Sequence, residues 1–325
     1  MYEQFRLKEL RHAYSVQGWA LLIYYGILNV AVMIFMFVEA FAQVFSAAAS
    51  GQEPDMMQIT ESMMSTSGWG YFLAIAIGFF VLLLWKKPKF CFGTIWQKGK
   101  PMKFGSFFAI FAIFISVQLI VQLMSMLLEL LFNCFGLSLM EMMESASVST
   151  DSLSMFLYVG LGAPIWEEIL FRGLLLRSME PYGKKFAIFA SALLFGLYHG
   201  NIIQIPFAFC VGLVLGYVTV EYNIGWAIVL HMFNNLILSD TMTRLSSYLP
   251  APWGDRLIWA FMIVCSVAAL VVLLVKRRQI KVYLRRYQND PLCTRAFWSA
   301  PGIITLVAIL GVMTAFTMVS LVMAA

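Results

Sequence analysis

The run GSFFAIFAIFISVQLIVQLMSMLLELLFNCF, residues 105–135, is long and apolar enough to cross the roughly 30 Å hydrocarbon layer of a membrane as a helix. Glu129 is the single charged residue within it. A helix of this length on the surface of a soluble protein would need a continuous polar face, and this run has none. The run therefore predicts a transmembrane helix.

The composition of the whole chain agrees with a membrane protein. Apolar residues (AVILMFWYC) make up 61% of the 325 residues and charged residues 12%, whereas soluble domains average about 25% charged. The five cysteines are widely spaced and form no CxxC motif, so they predict neither a disulfide framework nor a zinc ribbon. The net charge of +5 comes from short basic clusters between apolar runs, a pattern that argues against a nucleic-acid partner.

Further apolar runs on both sides of residues 105–135 predict an all-α, polytopic transmembrane helical bundle of about eight or nine spans. A pair of short, closely connected runs at 186–200 and 204–221 can instead be re-entrant. The candidate spans cover residues 17–45, 69–85, 105–135, 153–176, 186–200, 204–221, 224–240, 257–275 and 298–322.

Four basic segments predict the orientation of the chain in the membrane. They are residues 1–16, 86–104, 177–185 and 276–297, and they hold 19 of the 22 Lys and Arg residues. Lys and Arg are retained in cytoplasmic loops. We therefore expect the N-terminus to lie in the cytoplasm.

Polar side chains within the predicted spans are candidates for function, because an ionisable group in a membrane costs at least about 2.5 kcal/mol. In APIWEEILFRG, residues 163–173, Glu168 and Arg172 are four residues apart and share a helix face, where they can pair. Glu167 points about 100° away and is suited to act as a general base. Pro164 predicts a local kink. The alternative is that both glutamates only tie helices together.

Imidazoles and carboxamides occur on two later runs. His199 follows Phe195 by one helical turn, and His231 precedes Asn235 by one turn, with Asn234 as an alternative amide. A carboxylate and an imidazole can deprotonate a water molecule, while a second imidazole and a carboxamide can donate hydrogen bonds to an oxyanion. No Ser or Cys stands beside an evident base in this set. The pattern therefore favours peptide-bond hydrolysis by activated water.

A metal site is the alternative use of the same residues. Glu167, His199 and His231 could hold a divalent ion such as zinc, which would activate the water instead. No HExxH motif is present, and no two of these three residues share a helix at metal-ligand spacing.

Three ordered motifs resemble the CPBP family of intramembrane proteases, which includes the CAAX prenyl endopeptidases and bacteriocin-processing and immunity proteins. They are Glu167-Glu168-x-x-x-Arg172, Phe195-x-x-x-His199 and His231-x-x-x-Asn235. The resemblance covers about residues 105–240, which would form the catalytic membrane core. Residues 1–104 would add a cytoplasmic segment and two peripheral helices, and residues 241–325 the C-terminal helices.

The resemblance implies a role for each matched residue. Glu167 would be the general base and would share the nucleophilic water with His199. His231 and Asn235 would stabilise the oxyanion. Glu168 and Arg172 would support the site. Family members are often named metalloproteases, whereas the prenyl-endopeptidase branch resembles a glutamate-dependent, metal-free mechanism, so both remain open.

The expected substrate is a membrane-anchored or amphipathic peptide or protein, and the expected location is a bacterial cell membrane. The sequence leaves the oligomeric state open. Two other functions compete with proteolysis. One is a catalytically silent immunity or partner-binding protein of the same fold. The other is a proton-coupled transporter, for which no repeat-related pair of broken helices is visible.

Overall fold

The computed structural model of the chain describes residues 2–53, 67–136, 152–236, 248–286 and 290–324, with Asp55, Met57, Ile59 and Ser138 besides. Within these residues the fold is all-α, as predicted, and contains no strand. Its eleven helices are α1 (Tyr2–Ala49), α2 (Gly68–Lys89), α3 (Phe104–Asn133), α4 (Leu153–Tyr182), α5 (Lys184–Tyr198), α6 (Gln204–Glu221), α7 (Ile224–Phe233), α8 (Trp253–Val275), α9 (Arg277–Arg286), α10 (Pro291–Trp298) and α11 (Pro301–Ala324).

Seven of the described helices are long and apolar enough to cross a membrane: α1, α2, α3, α4, α6, α8 and α11. The two other predicted spans correspond to shorter helices. Helix α5 has 15 residues, and α7 has 10 residues with a π-helical continuation to Leu236. Residues 237–240 of the predicted span 224–240 lie outside the described residues. His199 directly follows α5 and His231 lies on α7, so the two short helices carry the two histidines.

Several helices begin at a side chain that accepts a hydrogen bond from a backbone N–H group of the first turn, as helix starts require. Ser152 caps α4, Asn223 caps α7 and Asp290 caps α10. After α5, Gly200 has a φ of +62°, a conformation that favours glycine, and it lets the chain reverse into α6. These local signals give the turns that bring α5 and α6 side by side.

Contacts join all four basic segments at one end of the bundle. Two of these contacts are made to Glu221 of α6, which bridges the segments 86–104 and 276–297. Helix α9 is a distinct basic helix and lies within the predicted basic segment 276–297. The contacts are Arg6 Nη2–Asp290 Oδ2 at 3.0 Å, Arg177 Nη2–Gln97 O at 3.2 Å, Lys100 Nζ–Glu221 Oε2 at 2.6 Å and Tyr283 Oη–Glu221 Oε1 at 3.1 Å.

The first and last helices pack against each other with their backbones in direct contact. A side-chain carbon added at Gly18 of α1 would lie 2.3 Å from the carbonyl carbon of Gly302 in α11. Ser15 Oγ accepts a hydrogen bond from the Gly302 N–H at 2.9 Å. Small residues permit such close helix approach within membranes.

Helix α4 lies at the centre of the bundle. Residues Phe171, Arg172, Leu175 and Leu176 on it are completely buried, while α5, α6 and α7 pack around it. Many large apolar side chains of α3, α8 and α11 are exposed, as expected for helices that face lipid. A central helix with a fully buried stretch therefore carries the two glutamates and the arginine of the first motif.

Candidate active site

Pro164 changes the hydrogen bonding of α4 just before the two glutamates. The preceding stretch, Tyr158–Gly162, is π-helical, and the Ala163 N–H donates to Tyr158 O. Pro164 has no N–H to continue this pattern, so the carbonyl of Val159 needs another donor. Asn235 Nδ2 supplies it at 2.9 Å. The predicted disturbance at Pro164 is thus a π-helical stretch, and it joins α4 to the end of α7.

A buried ion pair lies one turn further along, within a second π-helical stretch, Glu168–Leu176. Arg172 Nη1 is 3.1 Å from Glu168 Oε1, and both side chains are fully buried. The same Glu168 Oε1 is 2.9 Å from His231 Nδ1 on α7. The predicted pair therefore has a third member: Glu168 accepts a hydrogen bond from the Nδ1–H group of His231 and fixes the orientation of the ring.

Glu167 occupies a different environment from its neighbour. Its side chain is 26% exposed, and its Oε2 lies 3.7 Å from His231 Nε2. That distance is longer than a direct hydrogen bond, and one water molecule can contact both atoms. His231 is thus held on one edge by the buried carboxylate and faces the accessible carboxylate with the other.

His199 reaches the same cluster through the ring of Phe195. The two rings contact edge to face at 4.8 Å, and Phe195 contacts His231 in the same way at 5.7 Å. His199 Nδ1 is 2.8 Å from the carbonyl oxygen of Phe195, which leaves Nε2 as its outer nitrogen. The Arg172 guanidinium lies over the Phe195 ring, 4.2 Å from the ring centroid.

An aromatic pair lies next to Glu167 in sequence, and an apolar cavity adjoins the same helix. Tyr24 of α1 packs against Trp166, which directly precedes Glu167, at 5.3 Å between ring centroids. Tyr24 also lines a cavity of about 290 Å³ whose walls are almost entirely apolar. Leu170 and Leu174, on the same helix as Glu167, also line it. The cavity therefore adjoins the helix that carries the proposed base.

The three residues that the sequence offers as zinc ligands do not form one ligand group. In the part of the chain that the structure describes, no three His, Cys, Asp or Glu side chains come together as a metal-binding set. Glu167 and His231 are neighbours, and contacts of Nδ1 with Glu168 and with Phe195 leave Nε2 as the nitrogen with which His231 and His199 could bind a metal.

The structure brings the six predicted site residues to one region formed by α4, α5 and α7. Glu167, Glu168, Arg172 and His231 are linked by direct contacts, His199 joins through Phe195, and Asn235 binds the backbone of α4. Their catalytic roles remain predictions.

One polar residue near this region was missed from sequence. Gln118 of α3 donates a hydrogen bond to Asn234 Oδ1. Its signal was present, since an amide in an otherwise apolar run is as unusual as Asn234 itself.

A family model described as "Type II CAAX prenyl endopeptidase Rce1-like" matches residues 149–237. The matched range, under a third of the chain, contains all three motifs and lies inside the predicted core 105–240. Comparisons with curated proteins and with solved structures found no match. The match confirms the resemblance to the CPBP family of CAAX-type proteases over this part of the chain, and its apolar helices mark an integral membrane protein.

Proposed function

We propose that this chain, which over residues 149–237 matches the CAAX prenyl endopeptidases, is an intramembrane endopeptidase that hydrolyses a peptide bond of a membrane-anchored substrate. Glu167 takes a proton from the water that attacks the peptide carbonyl carbon, and returns it to the leaving nitrogen as the C–N bond breaks. His199 binds the water, and His231 binds the carbonyl oxygen of the substrate. Asn235 donates to the developing oxyanion, and Glu168 with Arg172 orients His231.

The observation that carries this proposal is the difference between the two adjacent glutamates. Glu168 is fully buried and engaged by Arg172 and His231, whereas Glu167 is partly accessible and faces an imidazole nitrogen at 3.7 Å. A general base must be accessible to water and must have a carboxylate oxygen free to accept its proton. Glu167 therefore fits the role of the base, and Glu168 fits a supporting role. The resemblance assigns the water to Glu167 and His199, and the nearer imidazole in the structure is His231.

The apolar cavity that adjoins the helix of Glu167 favours a substrate that carries a hydrocarbon group. Its volume of about 290 Å³ lies near the lower end of the ~300–1,000 Å³ typical of ligand sites. Tyr24 and Leu170 place this cavity against the helix that holds the base. A lipid-modified peptide can therefore present its anchor to the cavity and its scissile bond to Glu167.

The test is cleavage of defined peptides by the purified protein in liposomes. One probe is an internally quenched peptide with a farnesylated cysteine three residues from its C-terminus, and the second is its unmodified twin. Glu167→Gln keeps the size of the side chain and should lower the rate at least about 100-fold, since general-base catalysis contributes about 10²–10⁴-fold. Glu39→Gln on α1 is the matched control and should retain the rate.

Two outcomes would refute the proposal. Absence of cleavage of both peptides by the wild-type protein is one, and a Glu167→Gln variant as active as the wild type is the other. Faster cleavage of the farnesylated probe supports the cavity as its binding place. Equal rates on the two probes would remove the cavity from the proposal.

We further propose that the N-terminus and the joined basic segments lie in the cytoplasm of a bacterial cell. The structure supports this through the contacts that bring these segments together, because Lys and Arg are retained on the cytoplasmic side. Cys134, exposed just beyond α3, then faces outward. A membrane-impermeant maleimide should label intact cells expressing the protein, and Cys134→Ser should lose the label. Labelling only after lysis would reverse the orientation.

A further inference from the structure

Three carboxamide side chains form a continuous chain of hydrogen bonds from α3 to α4. Gln118 Nε2 donates to Asn234 Oδ1, and Asn234 Nδ2 donates to Asn235 Oδ1 at 3.0 Å. Asn235 Nδ2 then donates to the carbonyl oxygen of Val159 at 2.9 Å. Each hydrogen bond runs in the same direction, from nitrogen to oxygen. Consecutive hydrogen bonds of this kind polarise one another in a medium of low dielectric constant.

The direction of this chain determines how Asn235 presents its amide. A carboxamide has two nearly equal ends, so contacts must decide which end carries the N–H groups. Val159, left without a backbone donor by Pro164, accepts from the nitrogen end of Asn235. Asn234 donates to the oxygen end, and it does so because its own oxygen is engaged by Gln118.

Gln118 is the first donor of the chain and lies outside the three motifs. It belongs to α3, which the family match at residues 149–237 does not include. Asn234 is buried, so its oxygen has little access to water if Gln118 is removed. Rotation of the Asn234 amide would then let its oxygen face Asn235 and would weaken the hold on the Asn235 oxygen.

We infer that Gln118 is a positioning residue that holds Asn235 in the orientation required to donate to the oxyanion. The inference rests on the proposed function, since it concerns the same reaction. Gln118 itself touches neither substrate nor water in this role. It acts through Asn234.

Helix α3 itself offers a matched control. Gln122 lies one turn after Gln118 on α3 and is exposed. Gln118→Leu and Gln122→Leu therefore make the same chemical change in the same helix, and only the first removes a donor to Asn234. A third variant, Gln118→His, retains an N–H donor and should recover part of the lost rate.

The first measurement is steady-state cleavage of the farnesylated quenched peptide in liposomes. Gln118→Leu should lower kcat about tenfold with KM unchanged, less than the 10²–10³-fold effect of deleting an oxyanion donor outright. Gln122→Leu should match the wild type. Equal kinetics for the two leucine variants, or a change confined to KM, would overturn the inference.

The second measurement needs no activity. In protein labelled with ¹⁵N-asparagine, the side-chain NH₂ signals of Asn235 are assigned by their loss in Asn235→Ala. They should shift in Gln118→Leu and stay in place in Gln122→Leu, and unchanged signals would overturn the positioning role. If the wild type cleaves neither peptide, the proposed function fails, while these signals still decide whether Gln118 orients Asn235.

Discussion

Replacing Arg172 with Met should destabilise the protein strongly, because it leaves a buried carboxylate without its cation. Arg172 and Glu168 are both fully buried, with Nη1 and Oε1 3.1 Å apart. Methionine has a similar length and no charge, so it fills much of the space of the arginine stem. The change therefore isolates the loss of the charge and of its contact with the Phe195 ring.

The size of the effect follows from the burial of the pair. Removing one partner of a buried ion pair costs about 3–5 kcal/mol, since the remaining charge is stranded in a medium of low dielectric constant. His231 Nδ1 still donates to Glu168 at 2.9 Å and offsets part of this loss. We therefore expect Arg172→Met to lower the free energy of unfolding by about 3 kcal/mol, at the lower end of that range.

The assay is equilibrium unfolding in mixed micelles, with the double variant Glu168→Gln/Arg172→Met as the control. The double variant removes both charges and keeps an acceptor oxygen for His231. It should therefore be at least about 1 kcal/mol more stable than Arg172→Met alone, because the effects of substitutions at two residues in contact are not additive. A single variant as stable as the wild type would refute the reasoning. So would a double variant less stable than the single one.

Two further predictions concern helix contacts and the cytoplasmic end. Gly18→Ala should lower the melting temperature, because its new carbon would lie 2.3 Å from Gly302. Gly26→Ala is the control and should leave the melting temperature unchanged, because no atom lies within 4 Å of the added carbon. Equal decreases in melting temperature for the two variants would contradict the contact. The Glu221 carboxylate accepts a hydrogen bond from Lys100 and raises the pKa of that lysine. This pair therefore stabilises the fold at pH values below the ordinary lysine pKa of about 10.4, and the stabilisation is lost as the pH rises through the raised pKa. Lys100→Met should therefore melt below the wild type at neutral pH and approach it at strongly alkaline pH, and a difference independent of pH would exclude the ion pair as the cause.

Much of the fold can be predicted from the sequence because apolar run length maps directly onto helix length in a membrane. The run 105–135 corresponds to α3, and 204–221 to α6, almost residue for residue. The two short helices are less predictable. A run of apolar residues does not reveal where the α-helical pattern ends within it, as it does after Phe233 in α7.

The motif spacing identifies which side chains share a helix face and leaves open which helices meet. The four-residue interval predicts the contact between Glu168 and Arg172, and the structure has it. The third partner, His231, comes from α7, and no interval along the chain encodes that approach. Gln118 escaped for a related reason, since its partner Asn234 is 116 residues away.

The contact between Ser15 and Gly302 also affects how the protein is made. These residues are 287 positions apart, and α1 leaves the ribosome long before α11. At roughly 5–20 residues per second, synthesis of the intervening chain takes about 15–60 s. For that time the close-packing surface around Gly18 has no helix to receive it. Newly made α1 is therefore a site where the membrane-insertion machinery or another nascent helix can bind before the final helix arrives.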